Sequence, residues 1–481
     1  MTSNYKIPSS FPDINSFESH LKTIDSSLGC DYTILDSSGP MGKPVDLAGL
    51  TLNNRFAIHP MEGWDGNEDG LPSEHTFRRW RRFGLSGSSL IWGGEAFAVV
   101  PEGRANPYQL HQGSSKEIGV ALKNLIGKIK SGRANIGLDN EEVLIGLQLT
   151  HSGRWSCPNK NGPTPKIVFK HPILDLKSGV KSDEALIADN ELAALPEHYA
   201  AASILASKAG FSFVDIKCCH GYLLHELLAA RSRPGPYGGS FKNRTRLFRE
   251  IVSAVKDACP DLDIGVRLSA TDLFPFSSSK DGLGKPRGLS NNLPYNFGFG
   301  IDKDNPLKPD FRETFDFLTL LNQMHVNLVN ITIGSPYYTP HIQRPAVFPP
   351  SDGYLPPTDP LESVAAHIIA VRLIKSSFPD LILVGSGYSY LQHWLPNVAQ
   401  YEVRNGHVDF VGLGRMVLSY PELPMDILKG NPIQKKKICR TFSDCTTGPR
   451  NSMASGCYPL DPYFRKRPEA IKIRSMRKTR R

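Results

Sequence analysis

Eight short apolar runs, rich in β-branched residues, recur along this chain and constrain its fold more than any other feature. They are Arg55-Phe-Ala-Ile-His-Pro60, Ser89-Leu-Ile-Trp-Gly93, Val143-Leu-Ile-Gly-Leu-Gln-Leu149, Phe213-Val-Asp-Ile-Lys217, Asp263-Ile-Gly-Val-Arg-Leu268, Val326-Asn-Leu-Val-Asn-Ile-Thr-Ile333, Leu381-Ile-Leu-Val384 and Asp409-Phe-Val-Gly-Leu413. Helical patterns lie between several of them, as from Leu195 to Ala209 and from Arg244 to Ala258. Short apolar strands alternating with amphipathic helices indicate a parallel sheet covered by helices. Eight such strands favour closure into a ring over an open sheet. The expected fold class is therefore α/β, a (β/α)8 TIM barrel with long strand-end loops over residues 41–430. A lead segment (1–40) precedes it and a C-terminal extension (431–481) follows.

A barrel of this kind places its chemistry just past the C-terminal ends of the strands. The polar residues comply. His59-Pro-Met-Glu62 follows the first strand, Gly94-Glu-Ala96 the second, and Gln148 with His151 closes the third. Lys217 to Tyr222 ends the fourth, Arg267 the fifth, Gly385-Ser-Gly387 the seventh and Gly412-Leu-Gly-Arg415 the eighth. One such end would be ordinary loop chemistry; the recurrence points to a site. Two Pro/Gly/Ser-rich stretches, Thr271 to Asp310 and Ser335 to Asp359, follow strands and should lie over the barrel mouth, as substrate walls or as plain decoration. Glycines after the last two strands, beside Arg415, can cradle a phosphate; by themselves they would be turn residues.

Composition excludes several classes. With 481 residues, 40% hydrophobic and 21% charged, the chain can bury a large core. The net charge of +9 is concentrated: residues 465–481 hold nine Lys/Arg against one Glu, so the remainder is close to neutral. That tail is expected to be a solvated, disordered terminus, with contact to acidic lipid or nucleic acid as the sharper alternative. No specific nucleic-acid partner is expected. The N-terminal residues lack a signal-peptide pattern, and no eighteen-residue apolar window suggests a membrane span. Eight sparse cysteines do not form a disulfide scaffold, and a cytoplasmic setting fits best. The expected partner is a small-molecule substrate, and a homo-oligomer is compatible with the sequence.

The motifs Asn54-Arg-Phe-Ala-Ile-His-Pro-Met61, Gln148-Leu-Thr-His-Ser-Gly-Arg154, Ala209-Gly-Phe211 with His220-Gly-Tyr-Leu223, Tyr237-Gly-Gly-Ser-Phe-Lys-Asn-Arg244, Arg267-Leu-Ser269 and Gly412-Leu-Gly-Arg415 occur in order. Together they resemble the Old Yellow Enzyme family of NADH:flavin oxidoreductases. The resemblance implies a non-covalent FMN across the barrel mouth, with NADH or NADPH as reductant and an enone, enal or carboxylate-bearing alkene as substrate. It implies that Pro60, Met61 and Ala96 border the flavin ring, Gln148 reads its pyrimidine edge, and Arg267 lies near N1 and O2. Gly387, Gly414 and Arg415 would hold the phosphate. Tyr222 matches the proton donor and His220 the second member of a pair that grips the substrate oxygen.

Lys217 occupies the first position of that pair, usually His, and departs from the pattern. It would serve as an electrophile, select anionic ligands, or bridge Asp215 or Glu62 structurally. Glu62 stands where relatives often carry Thr or Cys. His59, His151 and His225 read as structural histidines. Cys439, Cys445 and Cys457 resemble the remnant of an iron–sulfur motif, with Phe442 where a cysteine should be, so no metal is expected. Two rival readings remain at this level: a Schiff-base lyase through Lys217, and a flavin-binding redox sensor with weak turnover acting through Cys218 and Cys219.

Overall fold

The computed structural model describes residues 5–113 and 117–478. Its centre is a closed ring of eight parallel strands: β1 (Phe56–Ile58), β2 (Leu90–Ile91), β3 (Leu144–Thr150), β4 (Phe213–Cys218), β5 (Asp263–Ser269), β6 (Leu328–Thr332), β7 (Ile382–Gly385) and β8 (Phe410–Leu413). Neighbours pair in sequence order, and β8 returns to β1 with Val411 opposite Phe56. Each apolar run read from the sequence lies on one of these strands.

The intervening helices are α1 (Glu74–Gly84), α2 (Ile118–Ala134), α3 (Asp189–Ala209), α4 (Arg246–Ala258), α5 (Arg312–Gln323), α6 (Pro360–Ser377) and α7 (Leu395–Arg404). Their spacing explains their place. In α4, Leu247, Phe248, Ile251, Val252 and Val255 fall on one stripe at helical period and are all buried against the ring.

Inside the barrel, bulky side chains fill the N-terminal end. Leu90, Trp92, Leu144, Phe213 and Leu328 form this floor, with the Trp92 and Phe213 rings 5.3 Å apart. An antiparallel hairpin, Val45–Leu47 with Leu50–Leu52, buries Leu52 in the same cluster and plugs the bottom. Above the floor the interior turns polar, so anything bound at the open end rests on a rigid layer.

Strand two departs from expectation. It breaks after Ile91 and resumes at Ala96–Ala98, where Ala96 lies opposite Gln148 of β3. Gly93, at φ +150°, occupies the break, a backbone region that side-chain-bearing residues avoid.

The ends of the chain pack on the barrel. Lead helix Ile14–Ile24 is capped by Asp13, and its Phe17 stacks on Trp394 with ring centres 5.5 Å apart. At the other end, Met453, Tyr458, Phe464, Ala470 and Ile473 form a small core of their own. Asp461 ties it to α1 through Arg78 at 2.8 Å. The expected solvated tail is thus corrected: residues Glu469–Lys478 are a helix, because Ala470 and Ile473, one turn apart, both find an apolar partner surface. The last three residues of that tail lie outside the described residues. Among the described residues, no helix is long and apolar enough to cross a membrane.

Candidate active site

A cavity of about 1320 Å³, counted out to its open mouth, lies over the C-terminal ends of the strands. All but one of the expected residues wall it: Pro60, Met61, Gln148, Lys217, His220, Tyr222, Arg267, Gly387, Gly414 and Arg415. The exception is Ala96. It is buried within the resumed half of strand two, and its carbonyl accepts from Gln109 Nε2 at 2.8 Å, so it does not reach the wall.

The polar layer under the cavity is organised by Asp215. Its carboxylate accepts from Trp92 Nε1 at 2.7 Å, Gln148 Nε2 at 2.5 Å and the Arg267 backbone N–H at 2.7 Å. Burial raises this carboxyl to about 6, and the same three donors oppose the rise. Gln148 therefore commits one amide N–H downward and keeps its carbonyl and its other N–H for a ligand.

The turn after β4 aims the reactive group. His220 (φ +67°) and Gly221 (φ +77°) are both left-handed, an unusual conformation for a histidine. The turn is pinned from both sides. His220 N–H donates to Ser269 Oγ at 3.0 Å, and its carbonyl accepts from Ser335 Oγ at 2.7 Å, on the ends of β5 and β6. Lys217 is opposite Arg267 in the ladder, so both side chains rise together at the mouth.

The Lys217 ammonium sits 3.8 Å from the centre of the Tyr222 ring, a cation–π contact. The structural bridge considered for it does not form. Asp215 takes its three donors from Trp92, Gln148 and Arg267, Glu62 takes its own from Tyr222 and Asn106, and Lys217 makes no ion pair with either. Tyr222 Oη donates to Glu62 Oε2 at 2.8 Å and lies 2.8 Å from Tyr337 Oη, while Asn106 Nδ2 donates to Glu62 Oε1 at 3.0 Å.

Burial, then the neighbouring Glu62 charge, pushes the Tyr222 phenol well above its ordinary value. Burial lowers Lys217, and it lowers His220 well below the usual imidazole range, with Arg267 and Lys217 adding to the effect. At neutral pH the site therefore holds a protonated phenol and a neutral imidazole.

Glu62 is placed by a buried ionic knot below it. Arg79 binds Asp65 through Nε and Nη2, each at 2.8 Å, pairs with Glu95, and donates Nη1 to the carbonyls of Met61 (2.7 Å) and Gly94 (2.8 Å). This clamps the β1 and β2 ends into one unit. His59 is held between Asn330 (3.1 Å) and Ser386 (3.2 Å), deep in the barrel.

Several wall residues were not singled out by sequence reasoning. Tyr337, Gln343 and Arg344 come from the long loop after β6, whose Pro/Gly-rich composition had placed it over the mouth without naming these side chains. Thr446 and Arg450 come from the C-terminal extension, which carried no signal for this role, beside Cys445, read only as an iron–sulfur remnant. The two segments brace each other. Tyr337 stacks on Trp155 (4.4 Å, 5° between planes), Arg450 covers Tyr337 at 5.0 Å, and Arg344 bonds Thr446 Oγ1.

Cys439, Cys445 and Cys457 converge on a smaller cavity beside Arg415. Among the described residues, no His/Cys/Asp/Glu group has the arrangement to hold a metal ion.

A flavin mononucleotide can be tested against the donors present. Lys217, Arg267, Arg344 and Arg415 line the cavity, and none makes an ion pair among the described residues. Arg267 Nε and Arg415 Nη1 are buried with no hydrogen-bond partner, an arrangement that calls for an acceptor. A side chain at Gly414 would project into open space, leaving room for a ligand against the backbone. A dianionic phosphate at the β7–β8 end and an electron-rich ring near Arg267 fit these residues.

The comparisons decide the family. A family model described as the NADH:flavin oxidoreductase / NADH oxidase family matches residues 40–280. The chain belongs to this family. FMN and a nicotinamide reductant are its cofactors. The family's members include NADH:flavin oxidoreductase FG08077 of Gibberella zeae, 28% identical over 254 residues, spanning 49% of this chain and 58% of that protein. An NADPH dehydrogenase of Listeria monocytogenes is 31% identical over 234 residues, spanning 47% of this chain and 62% of that protein. The chain thus matches less than two thirds of the length of these curated relatives.

Among solved structures, histamine dehydrogenase from Rhizobium sp. 4-9 superposes with a TM-score of 0.63 at 20% identity, over 89% of this chain and 53% of that one. Morphinone reductase superposes with a TM-score of 0.53 at 18% identity, over 82% of this chain and 91% of that one. These likenesses establish the shared barrel.

Proposed function

We propose that this protein is an FMN-dependent NAD(P)H oxidoreductase that reduces an electron-poor C=C bond conjugated to a carbonyl. The observation that carries the reading is a protonated, buried Tyr222 phenol beside Lys217 and His220, in a cavity where Arg267 Nε and Arg415 Nη1 are buried without a hydrogen-bond partner. Pro60, Met61, Gln148 and Arg267 would hold the ring of FMN, with Gly387, Gly414 and Arg415 on its phosphate. Bound FMN, once reduced by NADH or NADPH, would supply a hydride, and with it both electrons, to the alkene.

The chain's own residues do the rest. Lys217 and neutral His220 donate hydrogen bonds to the substrate oxygen and offset the negative charge that develops there. Tyr222 turns its proton from Glu62 to the substrate carbon next to the carbonyl. Tyr337 Oη, 2.8 Å away, can then donate to the resulting phenolate, and the Lys217 charge over the ring stabilises it.

The experiment is a pair of anaerobic half-reactions. NADH or NADPH should bleach the visible flavin band of the purified protein, and an enone such as 2-cyclohexenone should restore it. Tyr222→Phe should keep the first step and slow the second by about 10²–10⁴-fold, the range for a positioned general acid. A colourless protein would overturn the reading, and an unchanged second step would remove Tyr222 from it.

A further inference from the structure

The cavity carries more positive charge than a flavin needs. Lys217, Arg267, Arg344 and Arg415 lack ion pairs among the described residues, whereas Arg450 has Asp352 at 3.1 Å. Glu62 is the acidic residue on this wall, and Tyr222 with Asn106 already occupies it. Bound FMN would account for Arg415 at its phosphate and Arg267 at its ring. Lys217 and Arg344 remain.

Arg344 is held in place by neutral groups alone. Its Nε donates to Gln343 Oε1 at 3.1 Å, and Nη1 bonds Thr446 Oγ1. The Gln343 amide in turn reaches His220 Nε2 at 3.2 Å. The guanidinium is thus tethered to the oxygen-binding side of the cavity, oriented but not neutralised. Burial depresses it to about 10, with the Arg450 charge adding to this, and its field reaches His220. A fixed, half-buried guanidinium without an anion is the setting that a carboxylate completes, because the planar fork takes two parallel hydrogen bonds.

Resting on the function above, we propose that the substrate carries a carboxylate separate from its acceptor carbonyl, bound by Arg344 while Lys217 and His220 take the carbonyl oxygen. Lys217 adds its field to both ends of such a substrate. The loop after β6 and the C-terminal extension, which position Arg344, then act as the specificity wall of the site.

The test compares 3-oxocyclohex-1-ene-1-carboxylate with its carboxamide, which matches it in shape and lacks the charge, on the FMN-loaded protein. The kcat/KM ratio should favour the carboxylate by about 10–100-fold, as for a charge-assisted hydrogen-bonded pair. Arg344→Met should collapse that ratio toward one, and Arg344→Lys should leave an intermediate value. Flavin content, read from the visible spectrum of each variant, separates the alternatives. A wild-type ratio near one overturns the proposal while leaving the reductase reading intact. Loss of flavin in Arg344→Met, with the ratio retained in the fraction still loaded, would assign Arg344 to the cofactor phosphate instead and overturn it too. A wild-type protein that takes up no FMN sinks both readings.

Discussion

The cavity has two walls of different origin. One is made by strand ends: Pro60 and Met61, Gln148, Lys217 to Tyr222, and Arg267. The other is made by the loop after β6 and the C-terminal extension, with Tyr337, Arg344, Thr446 and Arg450. On the first wall, position follows from ladder register: Lys217 faces Arg267 because their strands pair there, and the Asp215 network locks the layer beneath. On the second, position follows from contacts far apart in sequence, such as Arg344 with Thr446 and Tyr337 on Trp155. Register is shared by every strand, whereas the second wall is held by contacts of the loop and the extension, and we expect it to be separable from the barrel. On the proposed function, the difference teaches that chemistry and selectivity are housed separately: the strand-end wall would protonate the substrate and hold its oxygen, and the loop wall would select.

Three changes would break or sharpen this division. The largest effect should come from Phe464→Ala, which empties the small core that docks the extension. A loss of about 3–5 kcal/mol is expected for truncating a buried Phe. If the second wall is separable, limited proteolysis should cut after about residue 430 while the main thermal transition of the barrel stays in place; a lowered main transition would show that the walls fold as one.

A smaller effect should follow Arg415→Gln, since Arg415 Nη1 is buried without a partner where the phosphate is proposed. FMN retention should weaken by about 10–100-fold, measured by equilibrium dialysis, with flavin reduction otherwise preserved in the loaded fraction. Unchanged retention would move the phosphate elsewhere on the wall.

The smallest effect concerns Asp272, which accepts from Tyr338 Oη at 3.1 Å and so links the β5 and β6 loops. Burial raises this carboxyl to about 7 from an ordinary 3.8. The folded state therefore holds the proton more tightly than the unfolded chain. The group's contribution to stability is full below pH 4 and is lost as pH climbs through 7. Relative to Asp272→Asn, the wild-type Tm should fall across that window; parallel pH profiles would contradict it.

Much of the first wall was legible in the sequence. Strand runs with polar terminal residues, from His59 to Arg415, indicated both the ring and the mouth. Ala96 lies on a strand rather than past its end, and no local pattern marks a strand that breaks at Gly93 and resumes. The role of Glu62 was open until Asn106 and Tyr222 were seen to hold it, and the bridge considered for Lys217 does not form because the Asp215 carboxylate is turned to Trp92, Gln148 and the Arg267 backbone. The basic tail was read by its charge alone, and its Ala470 and Ile473 spacing was passed over.

The sequence by itself determined the barrel, the end of it that carries the site, and the residues Lys217, His220, Tyr222 and Arg267. Short apolar strand runs and helical stripes are local patterns, and their ring closure leaves one place for polar strand ends. Only the tertiary structure decided what faces them. Tyr337, Arg344 and Arg450 owe their positions to stacking, hydrogen bonds and burial between segments a hundred residues apart, and no local periodicity encodes such meetings.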